Sequence, residues 1–151
     1  MRGLLLAALA AISLPLQASA AELPATAQHL PGQPLTVHSG GRVIRFRVEV
    51  ARTPMQQEIG LMFRKSMPPM AGMIFPMDPP RMASFWMKNT LIPLDLIFIR
   101  ADHRISSIAA DVAPLVTYPT VDSTEPVAAV LELNGGAAAR NGLKPGDMVH
   151  W

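Results

Sequence analysis

Two carboxylates and one dense polar stretch carry the chemistry that this chain offers. Asp95 and Glu132 each interrupt an apolar run, Leu94-Asp95-Leu96-Ile97-Phe98 and Val130-Leu131-Glu132-Leu133. A carboxylate buried in such a run without a partner is costly or gives up its charge, so a cation or a set of donors is expected to face each one. Arg64 and Lys88 are the cations expected there. Ser84 to Asp95, S-F-W-M-K-N-T-L-I-P-L-D, sets rings, a thioether, an ammonium, an amide and a hydroxyl on an apolar stem. These residues describe a polar pocket formed by Arg64, Trp86, Lys88, Asn89, Thr90, Asp95 and Glu132, with the indole as its apolar wall. The competing reading of the same residues is a buried ion-pair and amide network that fixes strand register.

Other chemistries are weighed on the same residues. An indole beside amides and charges suits stacking on a sugar or contact with a peptide, and the cations suit a small anionic metabolite; a core position for Trp86 is the plainer alternative. Asp95 and Glu132 would suit a hydrolase if they faced each other about 5 to 10 Å apart across a cleft. No catalytic residue is assigned, because the chain has no G-x-S-x-G elbow and Gly135-Gly136 is too little for a phosphate loop. Eight of the ten methionines fall between Met55 and Met87, and Met67, Met70, Met77 and Met82 form the candidate set for Cu(I), a soft ion that accepts thioethers. Flexible core filling is the plainer role for them. His29, His38, His103 and His150 show no spacing that converges on zinc. No cofactor is implied.

The chain holds thirteen basic and eleven acidic residues and no cysteine. That excludes thiol catalysis, Cys-bound zinc and iron–sulfur sites, and without a basic run no nucleic-acid partner is expected. Met1-Arg2-Gly3, the apolar Leu4 to Leu16 and Ala18-Ser19-Ala20 read as a secretory signal peptide over residues 1–20, cleaved near Ala20. The apolar run is shorter than a bilayer span, and Asp95 and Arg100 interrupt the next best stretch, so no membrane span is expected after cleavage. The expected location is periplasmic or secreted, with oligomeric state left unspecified.

Residues 21–41 carry prolines, glycines and histidines without apolar period, which predicts an irregular lead-in. Residues 42–151 predict one β-rich domain. Ile44, Phe46, Val48 and Val50 alternate with Val43, Arg45, Arg47 and Glu49 as a half-buried strand does. Thr53-Pro54-Met55-Gln56 predicts a helix start: threonine at the cap, proline at the first helical position and glutamine completing a capping box. Strands are expected at Gly72 to Met77, Leu94 to Ile99, Arg104 to Val112, Val127 to Leu133 and near the C-terminus, with Arg100 to His103 as a hairpin turn. Pro114 to Pro126 is expected to be irregular. Asn134 should cap a second short helix that ends at Gly142. The sum is a mainly β, compact single-domain antiparallel sandwich or open barrel with two short helices.

The motifs G-L-M-F-R (Gly60 to Arg64), G-M-I-F (Gly72 to Phe75), F-W-M-K-N-T-L-I-P-L-D (Phe85 to Asp95), V-L-E-L-N-G-G (Val130 to Gly136) and G-L-K-P-G-D (Gly142 to Asp147) follow one another in this chain. In that order they resemble domain-of-unknown-function family 192 over roughly Val43 to Trp151. The resemblance implies a compact, often exported β domain and carries no established activity. The expected function is therefore an exported binding or accessory module with a polar pocket for a small ligand, sugar or peptide; a Met-rich Cu(I)-binding protein and a hydrolase using Asp95 and Glu132 are the alternatives.

Overall fold

A computed structural model describes residues 25–151, so the signal-peptide reading lies outside the described residues. The first strand already departs from expectation. Gly32–Ser39 is β1, inside what the composition suggested was an irregular lead-in. Leu35, Val37 and Ser39 are its buried positions, an alternation hidden in the sequence by the glycine, proline and histidine around it. Pro34, which has no N–H to donate, lies outside the Thr36–His38 stretch that pairs on β1's second side.

β1 pairs antiparallel with β2 (Arg42–Val50), whose Ile44, Phe46 and Val48 are buried as the alternation predicts. The chain then enters α1 (Pro54–Ile59). Both halves of the capping box form: the Gln56 N–H donates to Thr53 Oγ1 at 3.2 Å, and Gln56 Oε1 accepts from the Thr53 N–H at 3.1 Å. This helix is the crossover to β3 (Ala71–Arg81), which runs parallel to β2. Parallel neighbours need a crossover of this kind, and the β2–β3 pair makes an otherwise antiparallel sheet mixed.

The remaining strands are β4 (Ser84–Phe85), β5 (Leu94–Ile99), β6 (Ile105–Val112), β7 (Val121–Asp122), β8 (Val127–Asn134) and β9 (Met148–His150), with α2 (Ala137–Asn141) between the last two. Seven of the nine described strands form one mixed sheet in the order β6-β5-β8-β3-β2-β1-β9, and β4 with β7, which lies in the segment expected to be irregular, forms a small second sheet. The large sheet is not closed into a barrel. Its two outer strands meet only at one corner, where the Ile105 N–H donates to Asp147 O at 2.9 Å and the Val149 N–H donates to His103 O at 2.8 Å.

Alternation along the central strands divides the core into two layers. Ile74, Ile97, Ile99, Leu131 and Leu133 belong to the cluster under α2. Met73, Phe75, Leu96, Phe98 and Val130 belong to the other, covered by the segment after α1 and by β4 and β7. Each layer holds one of the two carboxylates singled out above.

Candidate functional site

Asp95 lies on β5 on the side of Ile97, and it is fully buried. Neither Arg64 nor Lys88 faces it. Its carboxylate is instead held by three backbone donors: Oδ1 accepts from the N–H of Asp111 at 2.7 Å and of Gly136 at 2.9 Å, and Oδ2 accepts from the N–H of Ala138 at 2.7 Å. The Asp111 donor is aimed by a bulge, since β6 places two residues, Ala110 and Asp111, opposite the single Asp95 between the Leu94–Val112 and Leu96–Ala109 pairs. The other two donors are free amides at the start of α2. Asp95 thus caps that helix from a distant strand. Asn134, expected to be the cap, is the last residue of β8, and its amide donates to Met67 O and Pro68 O. Gly135 leaves no room for a Cβ against the Asp111 carboxylate and Pro93, which is why the chain turns from β8 into α2 on a glycine pair.

Glu132 points the other way. In β8 it pairs with Met73 of β3 and Leu96 of β5, both members of the second layer. The two acids therefore sit on opposite faces of one sheet. That removes the hydrolase arrangement, because acid and base must reach one substrate from one side. Glu132 is 5 % exposed, and among the described residues its carboxyl group accepts no hydrogen bond. Burial pushes its pKa up to about 8, with the positive charge of Arg64 drawing it down only in part.

What Glu132 does reach is a cleft of about 530 Å³. Its walls are Leu61 and Met62 after α1, Phe75 and Met77 of β3, Phe85 and Trp86 at the start of the dense stretch, and Thr90 and Thr120. The rim carries Gln57, Glu58, Arg81 and Met82. Phe75 and Phe85 meet edge to face at 5.2 Å between centroids. The volume lies within the range of small-molecule sites, and an apolar wall with few polar groups is their usual lining.

Arg64 belongs to the support of this cleft. It is 7 % exposed, and its guanidinium makes a two-pronged pair with Glu49 at 2.7 and 2.8 Å, while Nη2 also donates to Gln28 O. Burial alone would raise the Glu49 pKa, but Arg64 and the Leu30 N–H hold it below the usual carboxylate value. Glu49, Met73 and Glu132 lie in one cross-strand row. Arg64 is therefore committed to one end of the row, and its buried Nε has no partner among the described residues. The turn that carries Arg64 is tied to the dense stretch: the Phe63 N–H donates to Asn89 O at 2.8 Å, and Asn89 Nδ2 approaches Met62 Sδ at 3.8 Å.

Of the seven residues expected to share a pocket, the structure brings Trp86, Thr90 and Glu132 to the cleft. Lys88 lies over the Trp86 ring, 5.1 Å from its centroid, and Asn89 sits in a left-handed turn joining the two loops. Asp95 is on the opposite face. Among the thioethers, Met67 is buried in the second layer, Met70 is exposed, and only Met77 and Met82 of the expected copper set line the cleft. Sequence reasoning missed Met62, Phe75 and Phe85 as walls; their position inside the G-L-M-F-R, G-M-I-F and F-W-M-K-N-T motifs was the available signal.

Fold and site together define a small mainly β domain with one mixed sheet and a ligand-sized cleft against one face. Residues 35–151 match the family model DUF192, described as "Uncharacterized ACR, COG1430", and the chain belongs to that family. A crystal structure of a protein of unknown function from Novosphingobium aromaticivorans DSM 12444 is 48% identical, with a TM-score of 0.78 over 81% of this chain and 86% of that one. A second, from Sinorhizobium meliloti 1021 and named a "putative transcription regulator", is 38% identical, with a TM-score of 0.76 over 84% of this chain and 96% of that one. No functionally curated protein matches the chain.

Proposed function

We propose that this chain is an exported small-ligand-binding module and that its site is the cleft above Glu132. One observation carries the reading: a buried carboxyl group without a hydrogen-bond partner among the described residues opens into a cavity walled by Phe75, Phe85 and Trp86. A group of that kind costs stability in a fold and is kept where it meets a ligand. Trp86 and Thr90 supply a stacking face and a hydroxyl at the same wall. Export rests on the Met1 to Ala20 sequence, which has the basic start, apolar middle and small-residue end of a secretory signal.

The test is a thermal-shift screen of the mature chain against sugars, short peptides, cell-wall fragments and metal ions. A ligand that binds only the folded state raises Tm, and a hit at this cleft loses its effect in Trp86→Ala. No shift across all four sets, or shifts that survive Trp86→Ala unchanged, refute the reading. Export is tested by N-terminal sequencing of the chain recovered from a bacterial periplasm, where a start near Ala21 is expected and an intact Met1 is the contrary result.

A further inference from the structure

Resting on that reading, we infer that the cleft selects ligands that carry a cationic nitrogen, a guanidinium or ammonium group on an apolar or aromatic stem, and that Glu132 is the residue which receives that charge. The geometry singles out the class. The polar group at the cleft floor is a carboxyl, nine-tenths buried and aimed into the cavity, and among the described residues nothing donates to it. Ionised, this carboxyl only accepts, so the partner that would draw it into its charged form is a donor, and a charged donor forms the stronger bond in such a dry setting.

The walls agree. Phe75, Phe85 and Trp86 line the same cleft as Glu132, and ring faces attract cations. The indole already receives one such group, since the Lys88 ammonium lies over it. At the rim Glu58 and Arg81 offset one another, and an anionic ligand that went deeper would meet Glu132, with Arg64 already neutralised by Glu49. The charged groups around Glu132 are Arg64 from the turn after α1, Glu58 on α1 and Arg81 at the end of β3; Met73 and Leu96, its neighbours within the sheet, are apolar.

The ionisation of Glu132 gives the pairing a signature. At neutral pH the free carboxyl is largely protonated, so a cation that binds there displaces its proton to solvent: the carboxylic acid and the free cation become an ion pair, and one H⁺ leaves. With the carboxyl pKa at about 8, affinity for a permanent cation rises about tenfold from pH 7 to pH 9 as that proton is removed beforehand.

Benzylguanidinium and its neutral near-isostere benzylurea are the small-molecule probes, and acetyl-Ala-Arg-Ala-amide with its citrulline counterpart are the peptide probes. Isothermal titration at pH 7 and pH 9, in two buffers of different ionisation heat, reads affinity and proton release together. At least one guanidinium probe is expected to bind more tightly than its urea twin, to release nearly one proton at pH 7 and to gain about tenfold at pH 9. Glu132→Gln is expected to abolish the preference, the proton release and the pH gain while leaving urea binding in place. The tighter of the two guanidinium probes tells a free small molecule from a peptide side chain as the source. Equal binding of guanidinium and urea, or a preference that persists in Glu132→Gln, overturns the inference and leaves the cleft a ligand site. Binding of none of the four probes overturns the inference, and it counts against the cleft itself only if the wider thermal-shift screen is also blank.

Discussion

Replacing Glu132 by glutamine should make the protein more stable, and increasingly so as pH rises. The side chain keeps its shape and loses its titration, so the difference between the two proteins isolates the ionisation of one carboxyl group. In the unfolded chain Glu132 loses its proton at its ordinary value of 4.5, whereas in the fold burial holds the proton until about pH 8. Below the unfolded value both states are protonated and nothing is lost. Between the two values only the unfolded chain ionises, and stability falls by about 1.4 kcal/mol per pH unit. At pH 7 the deficit amounts to about 3 kcal/mol, and above pH 8 it levels off at about 5 kcal/mol. Against a total of about 5 to 15 kcal/mol for an ordinary domain, that is a large fraction. Urea unfolding of both proteins at half-unit intervals from pH 4 to pH 8.5, in phosphate or acetate free of organic cations, measures it. The curves should coincide near pH 4 and diverge to a difference of about 3 kcal/mol in unfolding free energy at pH 7. Equal stability across pH 5 to 8, or a less stable Glu132→Gln, would mean that water reaches the carboxyl group, and the argument for an unsatisfied floor would fail.

Asp95 should behave in the opposite way. Asp95→Asn turns an NH₂ toward the Ala138 N–H and weakens the two remaining bonds, for a loss of about 3 to 5 kcal/mol in chemical unfolding; a loss below about 1 kcal/mol would contradict its capping role. Arg64→Ala leaves Glu49 half-buried and unpaired and frees Gln28, so a loss of about 3 kcal/mol is expected at pH 7. Because the folded pKa of Glu49 is depressed, its stabilisation is present above 4.5 and lost as pH falls through the folded value; the variant's acid-unfolding limb should be flatter there, and an unchanged limb would argue against the pair. Gly72→Ala would set a Cβ 2.5 Å from Glu132 O and 2.7 Å from Leu133 Cδ2, so it should cost about 1 to 3 kcal/mol by calorimetry and weaken any ligand held by Glu132.

Local patterns were legible in the sequence because their causes are local. The alternation of Ile44, Phe46 and Val48, the Thr53-Pro54-Gln56 box and the Arg100 to His103 turn each need only a few neighbouring residues, and each stands in the structure. The partners of Asp95 did not show, because they are backbone amides delivered by a bulge and a helix start rather than charged side chains. Cations were expected opposite Asp95, yet an Asp111 N–H exposed by a slipped register leaves no mark in residue types. Which face an acid takes was also hidden, for Asp95 and Glu132 occupy similar apolar runs and only strand pairing sends them to opposite layers. β1 was missed because Gly32, Pro34 and His38 mask the two-residue period of Leu35, Val37 and Ser39.

The order β2-β1-β9 makes the first strand of the described chain and the last into hydrogen-bonded neighbours, from Thr36 with His150 to His38 with Met148. The sheet therefore cannot be finished before β9 has been brought back to β1. Val149, which is fully buried, takes its place only when β9 docks. A bulky group attached directly after Trp151 would therefore burden the docking of β9 onto β1.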